Sequence, residues 1–170
     1  APRGRPPATA RTLIGAGLFI DSGQRLGRSA AMAAALGDLD RNGSRDAFVG
    51  SAVGYFNRVW LNSGTGLFRD SGQLLGVSNT LAVALGDLDR DGDLDAVEGN
   101  HGEPSRVLWN DGRGNFSPSI QTFPPKATGA VALGDLDADG DLDLVLGDDG
   151  AGVEVWRNAG RGLFVDSGQQ

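Results

Sequence analysis

The sequence predicts an all-β fold of repeated four-stranded antiparallel units, and three observations carry that prediction. First, Ala35-Leu36-Gly37-Asp38-Leu39-Asp40-Arg41-Asn42-Gly43 returns twice, as Ala84-Leu85-Gly86-Asp87-Leu88-Asp89-Arg90-Asp91-Gly92 and as Ala132-Leu133-Gly134-Asp135-Leu136-Asp137-Ala138-Asp139-Gly140. The steps are 49 and 48 residues. Second, two other markers keep the same phase. Trp60, Trp109 and Trp156 each precede a Gly-x-Gly turn, and the Phe19–Gln24 stretch is matched by Phe68–Gln73 and Phe164–Gln169, with Phe116 opening a degraded copy. Third, Gly is frequent, 28 of 170 residues without a collagen-like period, and no segment shows a capped 3.6-residue apolar repeat. Many tight turns and short strands follow.

Residues 1–12 read as a Pro/Arg-rich tail and residues 13–27 as an extra outer-strand-like segment. Three blades are then expected at 28–76, 77–125 and 126–170. In the middle one, the first strand is the small apolar run 81–85, the Asp-rich loop follows, and the second strand covers 94–98. A Gly-rich turn leads to a third strand at 106–110, and a turn at 111–114 to a fourth from Asn115. Four strands in about 48 residues match a blade of a β-propeller. The smallest closed propellers need about four blades, so three make an incomplete ring on their own. The missing closure is expected either from remaining blades of a longer chain or from self-association into a homo-oligomer or filament. The sequence starts without Met and without a signal-like apolar segment, which reads as a processed or excerpted chain.

The formal net charge is −7, which disfavours nucleic acid as a partner. No apolar run reaches the roughly 20 residues of a membrane span. Cysteine is absent, so no disulfide supplements a thin core. The acids crowd into three loops, where three divalent cations would cancel six of the seven excess charges.

The loops alternate acids with spacers. The second carries Asp87, Asp89, Asp91, Asp93 and Asp95, and the third Asp135, Asp137, Asp139, Asp141 and Asp143. The first has Asp38, Asp40, Asn42, Ser44 and Asp46, and with fewer charges is expected to bind most weakly. Calcium takes six to eight oxygens from a flexible loop, and Gly at position 6 permits the curl that brings positions 1, 3 and 5 together. Position 7 then offers its backbone carbonyl, and position 9 closes the cage. Two carboxylates about 5 Å apart repel by roughly 3 kcal/mol at an effective dielectric near 20, so a bare acidic turn is the poorer reading. The middle loop also matches the EF-hand pattern through Glu98 at position 12, but Val49 and Leu146 stand there in the other copies and no helices flank it, so that match is coincidental.

These loops, with the Ala-Leu-Gly-Asp-Leu-Asp run and the Trp-x-Asn-x-Gly-x-Gly-x-Phe marker, resemble the FG-GAP/VCBS repeat family, which includes the integrin α-subunit propeller and secreted propellers, some of them lectins. The resemblance implies about three Ca²⁺, one per repeat, between the first and second strands of each blade and on the side opposite the usual ligand surface. It carries over to the fifteen loop positions named above.

For function, an enzyme is not expected. His101 is the only histidine, and it lies in a Gly/Pro-rich stretch without a nucleophile motif. An extracellular scaffold or adhesion module stabilised by calcium is the leading expectation. A carbohydrate-binding, lectin-type propeller that uses its inter-strand loops is the alternative. Ligand-loop candidates are Tyr55, Asn57, Asn100, His101, Asp148 and Asp149, since these segments differ most between copies. The tryptophans are expected between blades, with Trp109, offset by one position, on the opposite face from Trp60 and Trp156. Extracellular calcium modules bind at about 10⁻⁴–10⁻³ M, which sets the expected location outside the cell.

Overall fold

The computed structural model describes residues 19–150 and 152–169, so the tail at 1–12 and the part of the 13–27 segment before Phe19 lie outside the described residues. Ten strands follow one another with no helix among the described residues. Strands β1 (Ala31–Gly37), β2 (Asp46–Ser51), β3 (Arg58–Asn62) and β4 (Phe68–Asp70) form a four-stranded antiparallel sheet in chain order. The second sheet has the order β10-β9-β8-β7-β6-β5. It comprises β5 (Thr80–Gly86), β6 (Asp95–Asn110), β7 (Phe116–Gly134), β8 (Asp143–Asp148), β9 (Gly152–Asn158) and β10 (Phe164–Asp166).

Two strands are longer than the sequence predicts. β6 spans the expected second and third strands, and β7 the last strand of the middle unit and the first of the next. The bend between 100 and 106 is present: Asn100 N–H donates to Ser105 Oγ, its Nδ2 donates to the Pro104 carbonyl, and Gly102 takes a φ of 79°. The bend's own residues, however, pair with the start of the next unit, His101 opposite Ala127 and Glu103 opposite Lys126, so extended structure runs through it. The extra segment behaves in the opposite way. Phe19–Asp21 repeats the sequence pattern of Phe68–Asp70 and Phe164–Asp166, yet it forms no strand, and among the described residues no third strand pairs with it.

A lone blade has two apolar faces and cannot bury either, so the units bury them against one another. Leu39, Phe48, Val59 and Leu75 on the downstream face of the first unit meet Ala96, Leu108 and Phe116 of the second, with Phe48 and Phe116 edge to face at 5.2 Å. Leu88, Val97, Val107 and Phe123 of the second meet Leu144, Leu146 and Phe164 of the third. Trp109 joins this second cluster from the downstream face of its unit and Trp156 from the upstream face of the next, as the one-position offset predicts. Close approach needs glycine. A Cβ on Gly37 would come within 2.7 Å of Leu94, and one on Gly86 within 2.8 Å of Leu142, whereas Gly134, at the same place in the third unit, faces open space.

Leu39 and Leu88, between the first two acids of their loops, are fully buried by the following unit, while Leu136 is 56 % exposed. Urea unfolding in excess calcium is therefore expected to show Leu88→Ala losing about 2–5 kcal/mol, and Leu136→Ala changing stability by less than about 0.5 kcal/mol. Equal losses would mean that Leu88 does not act through the neighbouring unit.

Candidate metal centres

Each acidic loop bridges a first and a second strand, and the pair that closes it is Gly37 opposite Asp46, Gly86 opposite Asp95 and Gly134 opposite Asp143. The chain curls inside that closure through two left-handed backbone positions separated by one residue. Position 4 is Arg41, Arg90 or Ala138, with φ of 58°, 64° and 63°, and position 6 is Gly43, Gly92 or Gly140. The glycines were expected to permit the curl. The left-handed position 4 was not visible in the sequence.

The curl directs backbone N–H groups onto the acids. Gly43, Gly92 and Gly140 donate to Oδ2 of Asp38, Asp87 and Asp135 at 2.9, 3.0 and 3.0 Å. The position-5 N–H of Asn42, Asp91 and Asp139 donates to Asp40, Asp89 and Asp137. Position 9 is the anchor. Asp46, Asp95 and Asp143 are buried, accept from the backbone of Leu39, Leu88 and Leu136, and accept on the other oxygen from Asn62, Asn110 and Asn158 of the third strand. One carboxylate thus ties loop, second strand and third strand together.

The result is three matching triads: Asp38, Asp40 and Asp46; Asp87, Asp89 and Asp95; Asp135, Asp137 and Asp143. In each, one oxygen per residue lies within 4.8 Å of the others. Each triad can hold a metal ion. The donors are all hard oxygens, and Asp87 Oδ1 is buried without any hydrogen-bond partner, so it presents a free lone pair that a cation would satisfy. Burial pushes the carboxyls of Asp46 and Asp89 up, and that of Asp95 from its ordinary 3.8 to about 7, despite the N–H groups of Asn110 and Leu88 that oppose the rise.

Positions 5 and 7 divide. Asn42, Asp91 and Asp139 turn inward to accept the position-7 N–H at 2.8 Å. The Asp93 and Asp141 side chains are instead held by arginines of the preceding loop, Arg41 and Arg90, while Ser44 has no such partner among the described residues. Glu98 is engaged elsewhere: fully buried, it accepts from Asn57 Nδ2 at 2.6 Å and from Arg106 Nε at 2.7 Å. The EF-hand match at this residue is thus coincidental in geometry as well.

The ligand-loop candidates also divide. Asn57 and Asn100 are fully buried, which corrects their reading as ligand contacts. Asn57 links Ser51, Thr80 and Glu98 at the joint between the first two units, and Asn100 is spent on Thr80 and Pro104. Asp148 is likewise buried, accepting from Thr128 Oγ1 beside Lys126. The signal in the sequence was their chemistry, since short amide and acid side chains in a turn often bond nearby backbone groups. His101 and Asp149 are exposed. Tyr55, with Phe56, Trp60, Arg28, Arg58 and Asp70, lines a cleft of about 270 Å³ on the upstream side of the first unit.

The ion-free protein should respond to pH through Asp95. Its folded pKa of about 7 lies above the 3.8 of an exposed acid, so the fold keeps a proton that the unfolded chain releases. Chelator-treated protein is therefore expected to lose stability to urea as pH rises from about 4 to 7 and then to level off, while calcium affinity rises over the same window. Stability that climbs with pH in chelator would refute a buried, uncompensated carboxylate. No helix long and apolar enough to cross a membrane is present among the described residues. No curated protein matches the chain. A sequence profile described as FG-GAP-like repeat matches residues 38–98 and 96–146, more than half of the chain, and its match begins on the first acid of the first triad. The chain belongs to the FG-GAP-like repeat family.

Proposed function

We propose that this protein is an extracellular, calcium-stabilised propeller-type repeat module with a non-catalytic, scaffold or adhesion role, and that it joins further blades of its own kind through its two end faces. The observation that carries this reading is Leu136. Its counterparts Leu39 and Leu88 are sealed by the next unit, and it stands 56 % exposed. The carbonyls of Leu39 and Leu88 accept from Asn110 and Asn158 of the following unit, so the downstream face of the third unit is a copied half-joint.

The upstream end supports the same reading. Gln73 grips the backbone of the next unit's outer strand, donating to the Gly114 carbonyl and accepting from Phe116 N–H. Gln121 does the same to Phe164. Gln24 makes this grip on Gly66 and Phe68. The segment around it therefore occupies the place of an outer strand in a preceding blade, and Phe19, which would sit within that blade, is fully exposed. A second copy, or further chain, would supply the blade. Calcium suits the extracellular location because millimolar concentrations are met there.

Native mass measurement and light scattering in calcium are expected to show assemblies larger than one chain, or stable association with added blades. Leu136→Asp is expected to weaken them by at least about ten-fold in concentration dependence, because it places a charge in the joint. A monodisperse monomer at all concentrations, unchanged by Leu136→Asp, would count against self-association. Calcium is expected to raise the melting temperature, as a ligand of the folded state alone must.

A carbohydrate-binding role is the second reading, favoured by the cleft beside Tyr55 and Trp60, where aromatic faces adjoin the Arg58–Asp70 ion pair. Glycan-array binding that Trp60→Ala abolishes would select it.

A further inference from the structure

The position-4 side chains of the first two loops, Arg41 and Arg90, reach toward the following unit. Arg41 donates from Nη2 to the Asp91 carbonyl at 3.0 Å and pairs through Nε with the Asp93 carboxylate. Arg90 repeats both contacts on the third loop, with the Asp139 carbonyl at 2.9 Å and Asp141 at 2.7 Å. The two acceptors flank the position-6 glycine of the receiving loop. A Cβ on Gly92 would lie 2.9 Å from Arg41 Nη2, and one on Gly140 2.6 Å from Arg90 Nη2. Glycine there gives both the left-handed φ and the room for a guanidinium. The series stops at both ends together. The third loop has Ala138 where the donor would be, and the first has Ser44 where the acceptor would be.

We propose that Arg41 and Arg90 are positioning residues that hold the next unit's loop in its ion-binding shape, so that the calcium sites are coupled in one direction along the chain. The inference rests on the calcium reading above. The physical basis is the planar fork of arginine, which engages a carbonyl and a carboxylate at once and so fixes the peptide between them. That peptide carries positions 5 to 7, where the loop presents the position-5 side chain and the position-7 carbonyl. The guanidinium also withdraws the position-7 carboxylate from the ligand set, which relieves crowding among five acids. Ordering the loop before the ion arrives lowers the entropic cost of binding. Lysine would supply the charge without the fork.

The molecule contains its own control. Ala138 holds a φ of 63°, beside 58° for Arg41 and 64° for Arg90, so alanine is accepted in the same curl. Replacing either arginine by alanine should therefore leave its own loop intact and alter the neighbour's.

The amides of Gly43, Gly92 and Gly140 each donate to the first acid of their own loop, so they report on the three sites separately. In ¹⁵N-labelled full chain titrated with calcium chloride, Arg41→Ala is expected to raise the midpoint at Gly92 by about 10–100-fold, and to leave Gly43 and Gly140 within about two-fold. Arg90→Ala is expected to do the same to Gly140 alone. Arg41→Lys should shift Gly92 in the same direction by less. Should Arg41→Ala collapse the spectrum, Arg41→Lys decides: a shift confined to Gly92 supports the coupling, and midpoints equal to the unaltered chain overturn it. A shift at Gly43 as large as at Gly92 overturns it too, because the arginine would then act on its own loop. If none of the three amides responds to calcium in the unaltered chain, the calcium reading itself fails and the coupling falls with it.

Discussion

Burial between consecutive units is the constraint on which the rest of this structure depends. A sheet of four short strands with so many small residues has little thickness of its own, and 39 % hydrophobic composition spread over two faces supplies only a modest core. Both buried clusters lie between units and not within one. Stability is then a sum of joints, as in other repeat architectures, and a joint without its second half leaves apolar surface in water. That is the situation of Leu136 and Gly134.

One nine-residue loop meets this constraint and the chemistry together, because alternate residues point in opposite directions. In the first loop Asp38, Asp40 and Asp46 converge on a common point, while Leu39 enters the next unit's core and Arg41 reaches that unit's loop. The second loop divides in the same way, with Leu88 and Arg90 facing outward. Acids crowded at the inward positions would force the loop apart, and with it the leucine that seals the joint. A cation at the triad therefore supports packing about as directly as it satisfies charge. Coupling between metal and stability needs no separate mechanism here, since the same peptide units serve both.

The repeat phase, the triads, the place of Trp109 and Trp156 between units and the offset of Trp109 were legible because each copy repeats its chemistry at the same position, while Trp60, expected between blades as well, lines the open cleft of the first unit. What escaped were the polar contacts that join one copy to another. Glu98 is matched by Val49 and Leu146 in the other copies, so no period announces its pairing with Arg106 and Asn57. Asn57 and Asn100 looked variable, and variability in a turn suggests recognition. They vary instead because each joint has its own buried polar fittings. The missing strand at Phe19–Asp21 is the same lesson in reverse: the residues are those of a strand, but hydrogen bonding needs a neighbour. The arginines could have been found by pairing position 4 of one loop with position 7 of the next, a comparison across copies that aligning each copy to the others does not make.

That comparison also changes how the first loop reads. Judged alone, Asp38, Asp40, Asn42, Ser44 and Asp46 look like an eroded copy with two carboxylates fewer than the others. Yet Asp93 and Asp141 stand outside the triads. Each is occupied by an arginine from the unit before, so the acids left for a cation number four in the second and third loops against three in the first. No described residue delivers an arginine to the first loop, and an aspartate at position 7 there would be a charge without a partner, half-buried against the turn at Gly64. Serine at position 44 suits a loop to which no described residue delivers a donor. The deficit that bears on affinity narrows to a single exchange, Asn42 for a carboxylate, and an amide oxygen still serves as a hard donor to calcium.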